Sequence, residues 1–213
     1  MSGSYEKVTN RGRFIVFEGI DGAGKTTQIE LLAKKLQAAG RTVYRTAEPT
    51  ESVTGGLLRD ALGGVSKRSA GEMAALFVLD RIFHNVNPVG GIEKMLADGV
   101  DVICDRYYYS SLAYQGSETS AEWVRDMNLN CPEIRHPDVC IFLDLTPEQS
   151  MERINRGRVT HEIYETTEKL ARVRTQFYNA LDELRDVDRI CIVNAARTVD
   201  EIHEEIWQLV QTV

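Results

Sequence analysis

Residues 19–27 place three glycines, a lysine and two threonines at a spacing that suits phosphate chemistry. The segment follows the apolar run from Phe14 to Phe17 and precedes an amphipathic helical pattern that stops at Gly40. Glycines in such a turn let successive backbone N–H groups point at one anion, and the following helix directs its positive end at the same charge. A strand before and a helix after are the context that a phosphate-binding loop requires.

The loop predicts a nucleoside triphosphate as the ligand, bound together with Mg²⁺. Lys25 would reach the terminal phosphates, and the hydroxyl of Thr26 would bind the metal ion. A glycine-rich turn with an incidental lysine is the alternative, and the flanking strand and helix argue against it. The residues expected to bind the nucleotide are Gly19, Ile20, Asp21, Gly22, Ala23, Gly24, Lys25, Thr26 and Thr27.

A second candidate phosphate site follows another apolar run, Val100 to Cys104. There Asp105 could organise Mg²⁺ and its waters while the guanidinium of Arg106 clamps phosphate oxygens. An aspartate at the end of a strand also suits a surface ion pair or a helix cap, so the residues after it matter. They run from Tyr107 to Gly116 and concentrate tyrosine, serine and glutamine, which suits a flat, hydrogen-bonding ligand such as a nucleobase.

The same segment resembles a family signature. Asp105-Arg106-Tyr107, Ser110 and Ala113-Tyr114-Gln115 are similar to the Asp-Arg-x-x-x-Ser-x-x-Ala-Tyr-Gln motif of thymidylate kinases. The resemblance implies that ATP, with Mg²⁺, donates its γ-phosphoryl group to dTMP and gives ADP and dTDP. It also implies a homodimer formed through the helix region from Ala70 to Asn85. Further matches in family order, between Phe14 and about Val193, are the phosphate loop with Phe17-Glu18 before it, Glu48-Pro49, Leu58-Arg59, and Phe77 with Arg81.

The resemblance also implies an acceptor pocket. Arg106 would bind the acceptor phosphate, Arg59 would assist it, and Asp21 would hold the sugar hydroxyl and help to position the phosphate. Phe77 would stack on thymine, and Arg81 would hydrogen-bond to its edge. Without the resemblance, Phe77 could be a core residue and Arg81 part of a surface ion pair. The other residues implied near the acceptor are Glu48, the base neighbours Ser111 and Gln115, and Tyr114, which would crowd the 2′ position of the sugar.

Three arginines around a glycine follow a helical pattern that begins at Pro147. They predict a lid over about residues 153–163 that closes on the migrating phosphoryl group, with a solvated basic helix end as the alternative. The chain departs from the family pattern at Ala47, where many members have an arginine, and at Thr160-His161, where the flap commonly continues Asp-Arg. Both departures concern the phosphate clamp and not the triphosphate loop. The expected catalytic set is Lys25, Asp21, Arg106, Arg153, Arg156 and Arg158, with Thr26 and Asp105 as metal-binding residues.

These residues need a scaffold that brings distant loops to one place. Five apolar runs suit buried strands and alternate with helical patterns, which predicts a parallel sheet covered on both faces. We therefore expect an α/β fold of the P-loop NTPase type, with a five-stranded parallel sheet, helices on both faces and a short arginine-bearing lid. Ligands bind at the carboxyl ends of the strands in such sheets, where the distinctive residues cluster. The runs are 14–17, 42–45, 100–104, 139–143 and 190–193, and the helical patterns are 26–39, 70–85, 91–98, 147–155, 164–184 and 199–210.

Length and composition fit one domain. The 213 residues, 43% of them hydrophobic, are enough for one buried core, and no linker-like stretch divides them. Residues 1–12 are polar and are expected to form a flexible tail, which leaves 13–213 as a single nucleoside monophosphate kinase domain.

Charge and hydropathy limit the partners. The formal net charge is −7 and no block of lysine and arginine stands out, which argues against a nucleic acid polymer. No segment has the length of a membrane span or the pattern of a secretory signal, so we expect a cytoplasmic protein that binds no membrane. Two other functions remain open at this point, a kinase for another nucleoside monophosphate or a deoxynucleoside, and a phosphate-loop module that binds nucleotide without transferring phosphate.

Overall fold

The computed structural model describes residues 11–157 and 166–213. Within these ranges, the five predicted apolar runs form five strands of one parallel sheet, ordered β2-β3-β1-β4-β5. Each predicted run overlaps its strand to within two residues at either end, so the five-stranded parallel sheet is confirmed. The strands are β1 (Phe14–Glu18), β2 (Val43–Ala47), β3 (Asp101–Asp105), β4 (Val139–Asp144) and β5 (Ile190–Asn194).

Nine helices accompany the sheet in the described ranges. They are α1 (Lys25–Ala38), α2 (Val53–Leu62), α3 (Ala70–Val86), α4 (Ile92–Ala97), α5 (Tyr108–Glu118), α6 (Ala121–Leu129), α7 (Pro147–Gly157), α8 (Thr167–Leu184) and α9 (Val199–Gln211). The six predicted helices are present. Helices α5 and α6 were not predicted, and α2 was implied only by the family resemblance. The glycines of α2 and the serines, glycine and tyrosines of α5 give weak helix propensity, so packing against neighbouring elements determines these two helices. Helix α6 has only nine residues, which gives a short periodic signal.

Helices cover both faces of the sheet, as predicted. Alternate side chains of β1 point to opposite faces, so Phe14 and Val16 join one hydrophobic core while Ile15 and Phe17 join the other. The first core includes side chains of α3, α4, α5 and α8, and the second includes side chains of α1 and α9. The central strand is therefore completely buried and holds its carboxyl end in a fixed position.

The register of the sheet aligns the ends of three strands. Asp105, the last residue of β3, lies opposite Phe17 of β1 on one side and Ala47 of β2 on the other. The segments that follow these three strands therefore leave the sheet at the same level and on the same edge. This is the arrangement that the candidate site requires, because its residues come from all three segments.

Asp101 joins elements at the opposite edge of the sheet. Its carboxylate accepts hydrogen bonds from the backbone N–H of Arg13 at 2.9 Å and from Nη2 of Arg41 at 2.6 Å. Its other oxygen lies 2.7 Å from Nη2 of Arg13. The hydrogen bonds from Arg41 and Arg13 outweigh the effect of burial and lower the pKa of Asp101 from 3.8 to about 2.

Two expected segments fall mainly outside the described residues. Of the expected tail, only Arg11 and Gly12 are described; Arg11 pairs with Asp138, and the N–H of Gly12 donates to the carbonyl of Leu96. Of the expected lid, residues 158–163 lie outside the described ranges. Among the helices that are described, none combines the length and apolar character needed to cross a lipid bilayer.

We expect Asp101→Asn to make the free energy of unfolding less dependent on pH in the acid range. The folded-state pKa lies below the unfolded one, so ionised Asp101 contributes about 2 kcal/mol that is full above pH ~5 and is lost as pH falls from about 4 toward 2. Urea unfolding measured from pH 7 downward should show wild type losing its advantage over Asp101→Asn in this range. The exposed Asp126→Asn serves as the control. A gap between wild type and Asp101→Asn that stays constant down to pH 2.5 contradicts the prediction.

Candidate active site

The segment between β1 and α1 forms the predicted loop. Gly19, Gly22 and Gly24 all adopt positive φ angles, which lets the backbone turn sharply before α1 begins at Lys25. The side chains of Ile20 and Ala23 are buried in the two cores, so these residues offer only their backbone to a ligand. Thr26 and Thr27 lie exposed in the first turn of α1, whose free N–H groups face the same space.

Lys25 lies at the base of this loop. Its ammonium donates to the carbonyl of Gly19 at 3.2 Å and lies 3.9 Å from Oδ1 of Asp105 at the end of β3. Burial and the nearby charge of Arg106 lower the pKa of Lys25, and Asp105 partly offsets them. The ammonium of Lys25 thus lies between the loop after β1 and the segment after β3, where a bound anion would stabilise its charged form.

Arg106 connects the second predicted phosphate site to the loop. Its Nη2 lies 2.5 Å from Oδ1 of Asp21, and its Nη1 donates to Oγ of Ser110 at 3.0 Å. Arg106 has a φ of +67°, an uncommon conformation for a residue with a side chain, and its guanidinium lies 5.6 Å from the centre of the Tyr114 ring. Burial raises the pKa of Tyr114 to about 12, although Arg106 opposes the shift. The two predicted anion-binding groups therefore share one cleft.

Glu18 is a residue of this site to which the sequence analysis gave no role. Its Oε1 accepts hydrogen bonds from the N–H groups of Tyr107 at 2.8 Å and Ser110 at 3.0 Å, and its Oε2 accepts from Oγ of Ser110 at 2.8 Å. Burial raises the pKa of Glu18, while Arg106 and these hydrogen bonds lower it in part. The carboxylate holds the turn that gives Arg106 its conformation. The available signal was a charged residue closing an otherwise apolar strand.

A cavity of about 250 Å³ opens beside Arg106. Its lining contains seven of the eight residues expected in the acceptor pocket, together with Asp21 of the loop. Pro49, Leu62, Tyr107 and Ser110 also line it and had no predicted role. The expected residues that line the cavity are Glu48, Phe77, Arg81, Arg106, Ser111, Tyr114 and Gln115.

Arg81 is buried at the inner end of this cavity, and its side chain is only 1% exposed. Its Nε donates to Oε2 of Glu48 at 2.8 Å, and its Nη2 pairs with the same oxygen at 2.6 Å. Both terminal nitrogens lie 3.2 Å from Oγ of Ser111, and Nη1 also donates to Oδ1 of Asn128 in α6. The alternative of a surface ion pair is therefore wrong. Asn128 had no predicted role, because α6 itself was not predicted.

The tyrosines after Arg106 differ from the expectation of a ligand-facing aromatic cluster. Tyr107, Tyr108 and Tyr109 are completely buried. The hydroxyls of Tyr108 and Tyr109 each donate to Oδ2 of Asp188 at 2.6 Å, and Asp188 does not line the cavity. These rings pack in the core because α5 begins there and turns them toward the sheet. Of the tyrosines in this segment, only Tyr107 and Tyr114 are among the residues that line the cavity.

Several predicted site residues lie outside this cavity. Arg59 donates to the carbonyl of Thr50 and lies 3.6 Å from Glu51. Arg153 donates to the carbonyl of Ala195 at 2.7 Å. Arg156 pairs with Glu152 on the exposed side of α7, and Arg158 lies outside the described residues.

The candidate metal site contains a carboxylate oxygen that lacks a hydrogen bond. Oδ1 of Asp105 is buried and has no hydrogen-bond partner among the described residues. The ammonium of Lys25 approaches this oxygen only to 3.9 Å, which leaves room for a closer contact with a cation or a water molecule. Oxygen ligands of this type suit Mg²⁺, and Thr26 lies on the neighbouring helix start.

Comparisons with known proteins point to one family. The model of the thymidylate kinase family matches residues 17–206. A probable thymidylate kinase of Pyrococcus horikoshii is 40% identical over 210 residues, which cover 94% of this chain and 97% of that protein. A probable thymidylate kinase of Thermococcus kodakarensis is 37% identical, with 94% and 98% covered. A putative thymidylate kinase of Treponema pallidum is 35% identical, with 91% and 92% covered.

We expect Gly22→Ala to weaken nucleotide binding while Gly64→Ala does not. Both glycines have a φ of +76°, so alanine costs each variant roughly 1 kcal/mol of stability. At Gly22, however, a Cβ atom would lie 2.9 Å from the carbonyl oxygen of Ser150, whereas at Gly64 it would meet no described atom within 4 Å. The loop must shift in the first variant, and ATP affinity should fall roughly tenfold or more. Isothermal titration calorimetry checks this. Equal affinities in the two variants would show that the loop geometry is not required.

Proposed function

The chain belongs to the thymidylate kinase family, and on that premise we propose that it transfers the γ-phosphoryl group of ATP to dTMP, giving ADP and dTDP. The observation that carries the proposal is the ion pair of 2.5 Å between Asp21 of the phosphate loop and Arg106. It joins a site suited to the triphosphate donor to a cavity suited to a nucleoside monophosphate acceptor. A donor and an acceptor bound on these two sides would meet between Lys25 and Arg106.

The proposed reaction needs alignment and charge neutralisation more than proton transfer. The attacking atom is an oxygen of the dTMP phosphate, which is already anionic, so no general base is required. Lys25 binds the transferring phosphoryl group, and Arg106 binds the acceptor phosphate, with Asp21 turning to the sugar hydroxyl. Arg153, Arg156 and Arg158 add positive charge when the lid closes, and Arg59 assists at the acceptor phosphate.

The residues present fit a bound Mg²⁺ ion. Oδ1 of Asp105 accepts no hydrogen bond from the described residues. Together with the hydroxyl of Thr26, it provides hard oxygen ligands on the loop side of the cleft. When bound, Mg²⁺ neutralises charge on the β- and γ-phosphates. Asp105 also lies 3.9 Å from the ammonium of Lys25 and helps to keep that group charged.

The cavity supports a base that presents a carbonyl oxygen. Every N–H direction of the Arg81 guanidinium has a partner in Glu48, Ser111 or Asn128. Because Oγ of Ser111 accepts from Arg81, its own hydrogen is left to donate to a ligand. The Ser111 hydroxyl is therefore a donor toward the cavity, so a keto oxygen suits this corner and the amino group of cytosine does not. Phe77, on the same wall, is placed to stack on the ring.

The acceptor panel tests the proposed function. With ATP and Mg²⁺, dTMP should give dTDP with a kcat/KM that exceeds that for dCMP by at least roughly a hundredfold, because the amino group of cytosine cannot accept the hydrogen of the Ser111 hydroxyl. Lys25→Ala should abolish turnover and keep its thermal unfolding temperature near that of wild type. Lys34→Ala, which removes an exposed lysine from the same helix, is the control and should remain active. Product analysis by chromatography decides the matter. A preference for another nucleotide or for free thymidine, or tight ATP binding without product, contradicts the proposal.

We also propose that the protein is a cytoplasmic homodimer that pairs through α3. Leu79, Phe83 and Val86 are 50%, 42% and 44% exposed and recur at the spacing of one helical face. The opposite side of α3 carries Asp80, Arg81 and His84, which are buried. An exposed apolar strip of this kind is typical of an interaction surface. The cytoplasm is where ATP and nucleoside monophosphates are available to such an enzyme.

Leu79→Glu should give a monomer. A charge at the centre of an apolar interface is costly to bury, whereas Val187→Glu introduces the same charge at an exposed position between α8 and β5. Analytical ultracentrifugation should report a dimer for wild type and for Val187→Glu, and about half that mass for Leu79→Glu. A monomeric wild type, or a dimeric Leu79→Glu, would rule out pairing through α3.

A further inference from the structure

A continuous line of polar side chains runs from β2 to the acceptor cavity. Oγ1 of Thr46 lies 2.7 Å from Nε2 of His84, and Nδ1 of the same ring lies 3.0 Å from Oε1 of Glu48. The other oxygen of Glu48 holds Arg81 at 2.8 Å and 2.6 Å. The side chains of Arg81, Glu48 and His84 are 1%, 2% and 4% exposed, so water does not reach them to replace a lost hydrogen-bond partner.

The partners of His84 fix the orientation of its ring. A carboxylate only accepts hydrogen bonds, so Nδ1 of His84 carries a hydrogen toward Glu48. Nε2 lies 2.7 Å from the hydroxyl of Thr46, which orients the ring from the other side. Each oxygen of the Glu48 carboxylate therefore has its own partner: Oε1 contacts His84, and Oε2 contacts Arg81. Rotation of the carboxylate would break both contacts.

His84 joins Glu48 to a second element of the fold. Glu48 lies in the segment that follows β2, whereas His84 and Arg81 lie three residues apart on one side of α3. His84 therefore connects the loop carboxylate to the same rigid helix that carries the arginine. Asn128 and Ser111 hold the outer nitrogens of Arg81, but only Glu48 contacts its Nε edge among the described residues.

We propose that His84 is a positioning residue for acceptor recognition, and this inference rests on the proposed function. Nδ1–H of His84 orients Glu48, and Glu48 sets the plane of the Arg81 guanidinium at the inner end of the cavity. Loss of that hydrogen bond leaves Oε1 of Glu48 buried and unpaired, so the carboxylate turns away and Arg81 loses its in-plane contact. The consequence falls on dTMP binding and not on the ATP side of the cleft.

The two amide substitutions of His84 separate positioning from general packing. The amide nitrogen of asparagine is the same number of bonds from the backbone as Nδ1, whereas that of glutamine corresponds to Nε2. His84→Gln should therefore raise the KM for dTMP roughly tenfold, and His84→Asn should keep it within about threefold of wild type. The KM for ATP should change less than about twofold in both. His203→Ala, which removes a histidine of α9, is the control and should leave both constants unchanged.

Steady-state kinetics with each substrate varied gives these constants. If wild type is active and His84→Gln has an unchanged KM for dTMP, the inference about His84 is wrong while the proposed function stands. The same holds if His84→Asn and His84→Gln raise the KM for dTMP equally. No product from dTMP with wild type overturns the proposed function and this inference with it. Should His84→Gln fail to fold, Thr46→Val provides the test, because loss of the hydroxyl that orients the ring should raise the KM for dTMP roughly threefold. An unchanged KM in a folded Thr46→Val variant would then refute the role of His84.

Discussion

The ion pair between Asp21 and Arg106 is the contact on which the candidate site depends. It connects the loop after β1 to the turn after β3, two segments separated by more than eighty residues of chain but adjacent in the sheet. Parallel pairing alone brings the two strand ends level, and the ion pair then holds their loops face to face. Because Arg106 adopts a positive φ, the pair exists only while the surrounding structure enforces that conformation.

One buried carboxylate, Glu18, provides that enforcement, and a second, Glu48, fixes another arginine of the site in the same way. Glu18 accepts the N–H groups of the turn that carries Arg106, and Glu48 accepts the Nε edge of Arg81. Burying a carboxylate costs free energy, and a fully satisfied hydrogen-bond set only offsets the cost. A hydrophobic pair would pack in its place without that cost, so the benefit of these groups is the fixed direction of the arginines. The acceptor cavity is thus shaped by charges that a substrate does not need to touch.

The sequence predicted the scaffold better than the details of the site. Strands and long helices were found because apolar runs and helical periodicity are local signals, and the glycine loop was found because its spacing is imposed by the phosphate. The resemblance to a family then suggested most of the residues that line the cavity. Helix α5 was missed because tertiary packing overrides weak propensity there, and α6 because its nine residues give only a short periodic signal. That failure hid Asn128, and it led to a run that includes Tyr108 and Tyr109 being interpreted as ligand-facing although these two side chains lie in the core.

His84 and Glu18 were missed for a different reason. Each acts through another residue, and a sequence shows which groups could do chemistry more readily than which groups hold them. The structure reveals both residues because their side chains are buried and the ring nitrogens of His84 and both carboxylate oxygens of Glu18 have hydrogen-bond partners. By contrast, Oδ1 of Asp105 lies buried beside Lys25 without a hydrogen-bond partner in the described part of the chain. In a protein of net charge −7, phosphate binding must come from such local imbalance, and the cleft concentrates it where Lys25, Arg106 and a metal ion would meet the substrates.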